Sequence, residues 1–522
     1  MGPRLPPLVR PRRVPAARRA LGGAAEDFRQ LTGMPADPEE RLRQLEGELG
    51  AALGALEPAL ADEGGPVRLD ADGRLVVSPL PAEQPPPGTE ALHGAVAQRL
   101  PAVDLAALLI EVDAWTGFTD ALTHAGRSAH RPPELRRNLY AALLAQATNL
   151  GVAGMADAAG ISEEALAWTT QWYLREETLR AANAALVNHH HRQPLARLWG
   201  GGTLSSSDGQ RFPQRGRSLT ARSVSRYFVN AGTTTYTHVA DQHTTYGTKV
   251  IPSTVRDATY VLDEILGNPT ELPIAEHATD TTGQTLATFG VFDLLGLRLS
   301  PRIRDLPSLR LYRWGPASEL SRWPRAGRLL TQPIQRDLIV DHWDDLLRLA
   351  GSLKFGHATA SLVLRRLHAA RRHGSLARAT LEYGRLVRTL FVLRYLADAE
   401  LRRRIGRQLN KGETLHSLRR QLFFAHEGHV RHRHHEGQTE QALCLTIVTN
   451  AVVLWNTVYM ADALDDLRRA DDAGDDAVAH LSRRCSTTST PTADSSSMSR
   501  ENWAAPAVAP SAPPRPLRRS AP

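Results

Sequence analysis

Cysteine is almost missing from this 522-residue chain. Only Cys444 and Cys485 occur, which excludes a disulfide framework and a four-cysteine zinc site and fits a reducing cytosol. Lysine is nearly as scarce: it stands only at Lys249, Lys354 and Lys411, so 60 of the 63 basic residues are arginines, a bias that a GC-rich genome produces by itself. No unbroken run of about eighteen apolar residues is found, and the Arg-rich start (Arg4, Arg10, Arg12, Arg13, Arg18, Arg19) lacks the apolar core of a secretory signal. The expectation is a soluble, cytoplasmic protein that does not enter a membrane. What the chain does have is length for roughly two to four domains and a net charge of +8, which permits a polyanionic partner without requiring one.

Residues 1 to about 35 are a Pro/Arg/Ala mixture and about 480 to 522 a Ser/Thr/Pro/Ala mixture, both expected to be disordered. Between them, 36–198 reads as a helical region, with an amphipathic stretch over Leu42 to Leu60, a Pro-rich break at 81–87 and apolar residues at three-four spacing from about 91. Composition changes at Trp199. Three glycines precede a β-prone string over 203–212, and Tyr236 to Asp241 with Tyr246 to Ile251 read as a hairpin. Thr254 with Asp257 resembles a capping box for a helix with an apolar face of Ala258, Val261, Leu262, Ile265 and Leu266. A strand at Leu272 to Ala278, a helix at Leu286 to Leu295 and a last strand at Leu309 to Tyr312 complete a β-β-β-α-β-α-β order. The fold class is therefore α/β: a mixed sheet over 199–315 preceded by an all-α region. The next stretch, 316–405, has a helical pattern throughout from about 334, and further helical patterns occupy 406–470 before a tail from 471 to 522.

Two acidic residues stand at the ends of strands that the right-handed crossover rule makes neighbours: Asp208 and Asp280. Paired carboxylates repel unless a cation neutralises them, and a hard ion such as Mg²⁺ takes oxygen ligands. Each taken alone is more commonly a strand-end or turn aspartate, and the pair means little without a third ligand. Asn410-Lys411-Gly412-Glu413 reads as the opening of a helix whose leucines 415, 418 and 422 face a core, leaving Glu413 and Arg420 on the opposite side. Glu413 is thus either a third ligand or an acidic partner of a helix N-terminus. Glu427, on the same face, would lie about 21 Å further along a continuing helix and is out of reach. The histidines at 426, 429, 432, 434 and 435 miss the helical zinc-protease spacing. His189 to His191 read as a helix end, and Ala156 to Leu166, turning at Gly160, as a helix-turn-helix or an ordinary helical hairpin.

Several strings, taken together, resemble the transposases of class II replicative transposons, the Tn-three family, over about residues 90 to 468. They are Leu204 to Phe212 (LSSSDGQRF), Thr248 to Ile251, Arg256 to Asp263, Glu276-His277 with Thr279-Asp280-Thr281, Pro301 to Leu306, Leu409 to Glu413 (LNKGE) and Leu454 to Thr457. The resemblance implies a ribonuclease-H-like fold with a helical insertion before the last catalytic helix. It also implies a DDE triad on Asp208, Asp280 and Glu413 holding two Mg²⁺ ions, or Mn²⁺. DNA is the implied partner, as transposon ends and target, with a homodimer for the full-length protein. Lys249, Arg256, Lys411 and Arg420 lie near the carboxylates in these strings and are expected to contact phosphates.

Family members are much longer at the N-terminus, and after about Leu481 the chain leaves the family pattern. Two readings follow from these departures. One is an enzyme that hydrolyses a phosphodiester at each transposon end and transfers the freed 3′-hydroxyl to target DNA. The other is a truncated, catalytically silent remnant that only binds DNA or interferes with an intact copy. A helical regulator unrelated to either would require the motif strings to be coincidental.

Overall fold

A computed structural model describes residues 21–469, except 63, 127–131, 133, 215–221, 224–230, 253–258, 370–373 and 433. The chain opens with α1 (Leu21–Thr32) and α2 (Pro38–Ala61), then a hairpin of β1 (Val67–Leu69) and β2 (Leu75–Val77). α2 starts where Asp37 accepts from the Glu39 amide and Pro38 presets the first turn. Its leucines 42, 45, 49, 53, 56 and 60 are all buried. Two expectations are corrected here. Residues 21–35 are not part of an unfolded start, because Phe28 and Met34 bury in the core, and the region before 199 is not purely helical. The Thr254–Asp257 capping box lies outside the described residues.

Helices α3 (Thr89–Ala97), α4 (Leu105–Thr116), α5 (Leu135–Ala147), α6 (Gly151–Ala159), α7 (Glu163–Tyr173), α8 (Glu176–His191) and α9 (Pro194–Trp199) lead to the sheet. α6 and α7 form a tight hairpin at Gly160, whose φ of 62° suits glycine, and Ser162 caps α7. Ala156, Ala159 and Leu166 turn inward to a shared core. His189 to His191 belong to the last turn of α8, where the His190 ring bonds Thr457 and His191 bonds Gln242.

The central sheet contains β3 (Leu204–Pro213), β4 (Arg222–Ser223), β5 (Ala231–Ala240), β6 (Thr245–Pro252), β7 (Glu276–Thr279) and β8 (Arg298–Pro301). Its order is β4-β5-β3-β7-β8, with β6 also paired to β5. β5 is antiparallel to β3 and β6, whereas β7 and β8 run parallel to β3 and follow crossovers through α10 (Val261–Leu266) and α11 (Leu286–Leu294). The last strand of this sheet is therefore 298–301, not 309–312. Four residues ending in proline carry too little alternation to read as a strand from sequence. The segment expected as the last strand is instead β9 (Leu311–Arg313), which pairs in parallel with β10 (Leu330–Pro333) in a sheet of its own.

Beyond β10 come α12 (Arg336–Asp341), α13 (Trp343–Lys354), α14 (Ala360–Ala369) and α15 (Ser375–Ala397), then α16 (Ala399–Leu422) and α17 (His435–Arg469). Among the described residues the interval 316–405 contains helices, connecting turns and β10, and it holds no strand of the central sheet. Two apolar cores flank that sheet. One joins α1 and α2 to α11–α15, and the other joins α4–α8 to α17 and the second half of α16.

By length and mean hydropathy, 1.5 over eighteen residues, α17 is apolar enough to cross a membrane, yet 94% of that window is buried inside the protein. A search for an unbroken apolar run misses it because Thr446, Thr449, Asn450, Asn456 and Thr457 interrupt the pattern. Asn450 is satisfied internally: its amide donates to Asn183 Oδ1 and Thr245 O at 2.7 and 2.8 Å, and its oxygen accepts from Thr245 N at 2.9 Å.

α11 and α15 cross at two glycines. A Cβ on Gly384 would stand 1.9 Å from the Leu286 carbonyl oxygen, and one on Gly290 would stand 2.9 Å from that of Thr380. Exposed Gly47 in α2 has nothing within 4 Å. We predict that Gly384→Ala lowers stability by about 1–3 kcal/mol or more through overpacking, while Gly47→Ala raises it by about 0.5–1 kcal/mol. Urea unfolding midpoints check both, and equal effects would contradict the backbone contact at the crossing.

Candidate active site

Strand alternation divides β3 into two chemically different faces. On one, Ser205 and Ser207 grip His277 of the neighbouring strand: Nδ1 lies 2.7 Å from Ser205 Oγ and Nε2 lies 2.8 Å from Ser207 Oγ. Tyr236 and Tyr246 complete this buried network. Burial, and secondarily His238 beside it, holds the His277 ring well below the usual imidazole range. This face supports the sheet.

The other face carries Ser206, Asp208 and Gln210 against α16. Gln408 Nε2 donates to Ser206 Oγ and to Val239 O, both at 3.1 Å. Further along, Gln210 Nε2 donates to His416 O at 2.8 Å, and Arg419 Nε donates to Gln210 Oε1 at 3.1 Å. Asp208 sits between these attachments on the strand, and Glu413 sits between them on the helix. One oxygen of Asp208, one of Glu413 and a ring nitrogen of His416 all lie within 4.8 Å of one another.

Asp280 joins them through register. β3 and β7 pair with a constant offset, Ser206 opposite Ala278, which sets Asp280, one residue past β7, level with Asp208. Asp208, Asp280 and Glu413 line one cavity of about 110 Å³ with Ser206, Thr237, Arg302, Arg304 and Gly412. Asp280 is outside the tight group of three. Asp208 keeps 45% of its side chain exposed, so the cavity reaches solvent. Like charges held this close favour a cation between them, and their oxygens suit a hard divalent ion.

Glu413 does not open a helix. α16 begins fourteen residues earlier, where Asp398 accepts from the amides of Glu400 and Leu401 at 2.8 and 3.0 Å. Mid-helix, Glu413 has no N-terminal dipole to complement. α16 also stops at Leu422, and His426, Glu427 and Gly428 take left-handed backbone with φ of 53°, 57° and 70°, so Glu427 is not on that helix.

The expected phosphate contacts fall differently. Lys249 is spent on Asp263, 2.8 Å away, whose other oxygen receives the Ser361 amide. Lys411 donates to the carbonyls of Trp199 and Asp241, bracing the approach to β3. Neither lines the cavity. Arg420 is exposed on α16, and Arg256 lies outside the described residues. Sequence reasoning missed Arg302 and Arg304, which follow β8 directly. Their segment is tied to the Asp280 loop by Arg302 N donating to Thr279 O at 2.8 Å and Thr281 Oγ donating to Arg302 O at 3.0 Å. Among the described residues neither guanidinium has a carboxylate partner. Two arginines at alternate positions right after the strand beside Asp280 were the available signal.

The His-rich stretch disperses its rings: His426 bonds Arg431, His432 bonds Gln146, and His435 bonds the Val250 carbonyl. It contributes to no metal-binding group among the described residues.

A family model described as "Tn3 transposase DDE domain" matches residues 107–488. The chain is 41% identical to the transposase for transposon Tn501 of Pseudomonas aeruginosa over 434 residues, covering 83% of this chain and 43% of that protein. It is 36% identical to the transposase for transposon gamma-delta of Escherichia coli over 457 residues, 86% of this chain and 45% of that protein. The chain spans less than half the length of these relatives.

Burial fixes several histidines as neutral, with a consequence for acid stability. Desolvation first, and like-charged neighbours second, push His190 and His416 down to about 3, while desolvation pushes His238 down to about 4. In each case the folded value lies below the unfolded one, so the contribution is present above about pH 6.5 and is lost as pH falls toward the folded value. The urea midpoint is expected to be flat near neutrality and to drop from pH 6.5 toward 4. His238→Gln should make the drop shallower by up to about 1.4 kcal/mol per pH unit. An unchanged slope would mean that the ring is protonated in the folded protein.

Proposed function

Because the chain belongs to the Tn3 transposase family, we propose that it cuts and joins DNA strands at a divalent-metal site held by Asp208, Asp280 and Glu413. The observation that carries this reading is that the three acidic residues, which lie far apart in sequence, line one solvent-reached cavity. The order β6-β5-β3-β7-β8, with β7 and β8 parallel to β3, supports a ribonuclease-H-like core, with α16 delivering the third carboxylate after the insertion. Two Mg²⁺ ions, or Mn²⁺, bound there would neutralise phosphate charge and acidify the attacking water.

The chain's own residues do the remaining work. Asp208 and Asp280 hold their positions through strand register and Glu413 through the α16 attachments, so the site is assembled before DNA arrives. Arg302 and Arg304 present guanidinium groups, which suit phosphate oxygens, on the cavity wall. In the hydrolytic step a water oxygen bonds to phosphorus and the bond to the 3′ oxygen breaks, leaving a 3′-hydroxyl. In the joining step that oxygen bonds to a target phosphorus as a second phosphodiester opens. Transposon ends and target DNA are the proposed substrates, with joining through a replicated cointegrate and a homodimer as the acting unit of the full-length protein. The alternative is a chain that binds DNA without cutting it.

Nicking of supercoiled plasmid in Mg²⁺ or Mn²⁺ distinguishes them. Asp208→Asn, Asp280→Asn and Glu413→Gln should each lower nicking at least about a hundredfold while leaving binding to duplex DNA in place. Binding without nicking by the parent chain would select that alternative. Arg304→Ala should weaken binding evenly across sequences and reduce the log–log salt slope by about 1; an unchanged slope would remove Arg304 from the DNA path.

A further inference from the structure

His416 stands three residues after Glu413, on the same side of α16, and its surroundings are those of a ligand in waiting. Its Nδ1 lies 3.7 Å from Asp208 Oδ2, too far for a hydrogen bond. Thr237 engages the other nitrogen: its hydroxyl oxygen lies 3.0 Å from His416 Nε2 and 3.4 Å from the Asp208 carbonyl oxygen, so when its hydrogen goes to the carbonyl its oxygen accepts from Nε2–H. In that arrangement the Nδ1 lone pair faces Asp208 Oδ2, and a ring nitrogen of His416, an oxygen of Asp208 and an oxygen of Glu413 lie within 4.8 Å of one another, a spacing at which donors can share one cation. The side chain is only 4% exposed, and Gln210 donates to the backbone carbonyl of the same residue, so the ring is enclosed between β3 and α16. An N–H anchored on a neighbouring oxygen while the opposite nitrogen faces the ion is how ligating histidines are oriented.

We propose that His416 donates Nδ1 to the cation held by Asp208 and Glu413, giving that position a nitrogen donor that the carboxylate triad lacks. The inference rests on the metal-site reading above. Mg²⁺ prefers oxygen ligands throughout, whereas imidazole suits transition-metal ions. This position should therefore favour Mn²⁺ over Mg²⁺ more than a site of carboxylates alone.

The test uses the full chain with Mn²⁺ as the probe. At one equivalent of Mn²⁺, pulsed electron paramagnetic resonance should show the nitrogen-14 modulation of a directly bound imidazole, and labelling the histidines with nitrogen-15 should replace it by the nitrogen-15 pattern without altering the protein. His416→Gln should abolish the modulation and weaken Mn²⁺ binding roughly tenfold, with a smaller loss for Mg²⁺. The double replacement His434→Ala, His435→Ala should leave it intact, which separates this site from the exposed histidines.

If Mn²⁺ binds in a manner lost in Asp208→Asn yet shows no histidine modulation, His416 is only a structural partner of Thr237 and the proposal falls while the triad stands. If Mn²⁺ does not bind at all, the triad reading and the proposal fall together.

Discussion

Arg419 is a guanidinium with no exposed surface and, among the described residues, no carboxylate partner, and the geometry of the candidate site depends on how the fold accommodates it. Burial lowers its pKa to about 9, so the charge is retained at neutral pH and must be met by neutral oxygens. Gln210 Oε1 on β3 and Thr446 Oγ on α17 supply them, the latter at 2.8 Å. One cation therefore joins the strand of Asp208, the helix of Glu413 and the long core helix. At the other end of the seam, Arg404 grips both oxygens of Glu276 at 2.8 and 2.9 Å, tying α16 to the strand that leads to Asp280. From Ser206 to Gln210 the strand advances about 13 Å, and from Gln408 to His416 the helix advances about 12 Å. The matched rises let both ends attach at once, and Glu413 is held between them opposite Asp208.

The same logic separates the cations that build from those that remain for a ligand. Lys249 and Lys411 are drawn into contacts with Asp263 and with backbone carbonyls, and Arg180 is drawn to Glu264. Arg302 and Arg304, on the cavity wall, have no carboxylate partner among the described residues. Net charge alone carried no such distinction. What matters is which positive groups the fold leaves on the wall of the cavity with the three carboxylates, because only those are placed to share a phosphate with an ion under the proposed function.

Much of this was legible in the sequence, and the remainder failed for physical reasons. Three glycines ahead of a β-prone string marked β3, and two β-prone runs around a short turn marked the β5–β6 hairpin. Asp208 and Asp280 followed from the crossover rule, and the observed register sets them level. β8 was missed because four residues cannot display a period. The start of α16 was misplaced because Asn410-Lys411-Gly412 looks like a break, whereas the true signal, Asp398 followed by Glu400, lay twelve residues upstream. A helix that long tolerates Gly412 because its attachments to β3, not local propensity, fix its path. The partners of Lys249 and Lys411 are contacts distant in sequence, 14 and 170 residues away, and no local pattern encodes them.

That dependence on distant contacts extends to the start of the described chain. The third carboxylate arrives only after α12–α15, so its position relies on whatever holds those helices to the sheet. α2 does much of this. Arg41 reaches across to Asp293 of α11 at 2.8 and 2.9 Å and to the Tyr383 hydroxyl of α15 at 3.1 Å. Glu48 receives Arg394 of α15 at 2.8 Å, and Glu57 caps the amides of Arg325 and Ala326. The Trp323 ring packs against α2 at Gly50 and Gly54, where an added Cβ would meet it at 3.6 and 3.7 Å, ordinary van der Waals contact. The helix that a reading of composition would set apart as a leading segment is instead a brace on the insertion. Through α15 and the Asp398 cap it bears on where α16 begins, and through α16 on where Glu413 meets Asp208.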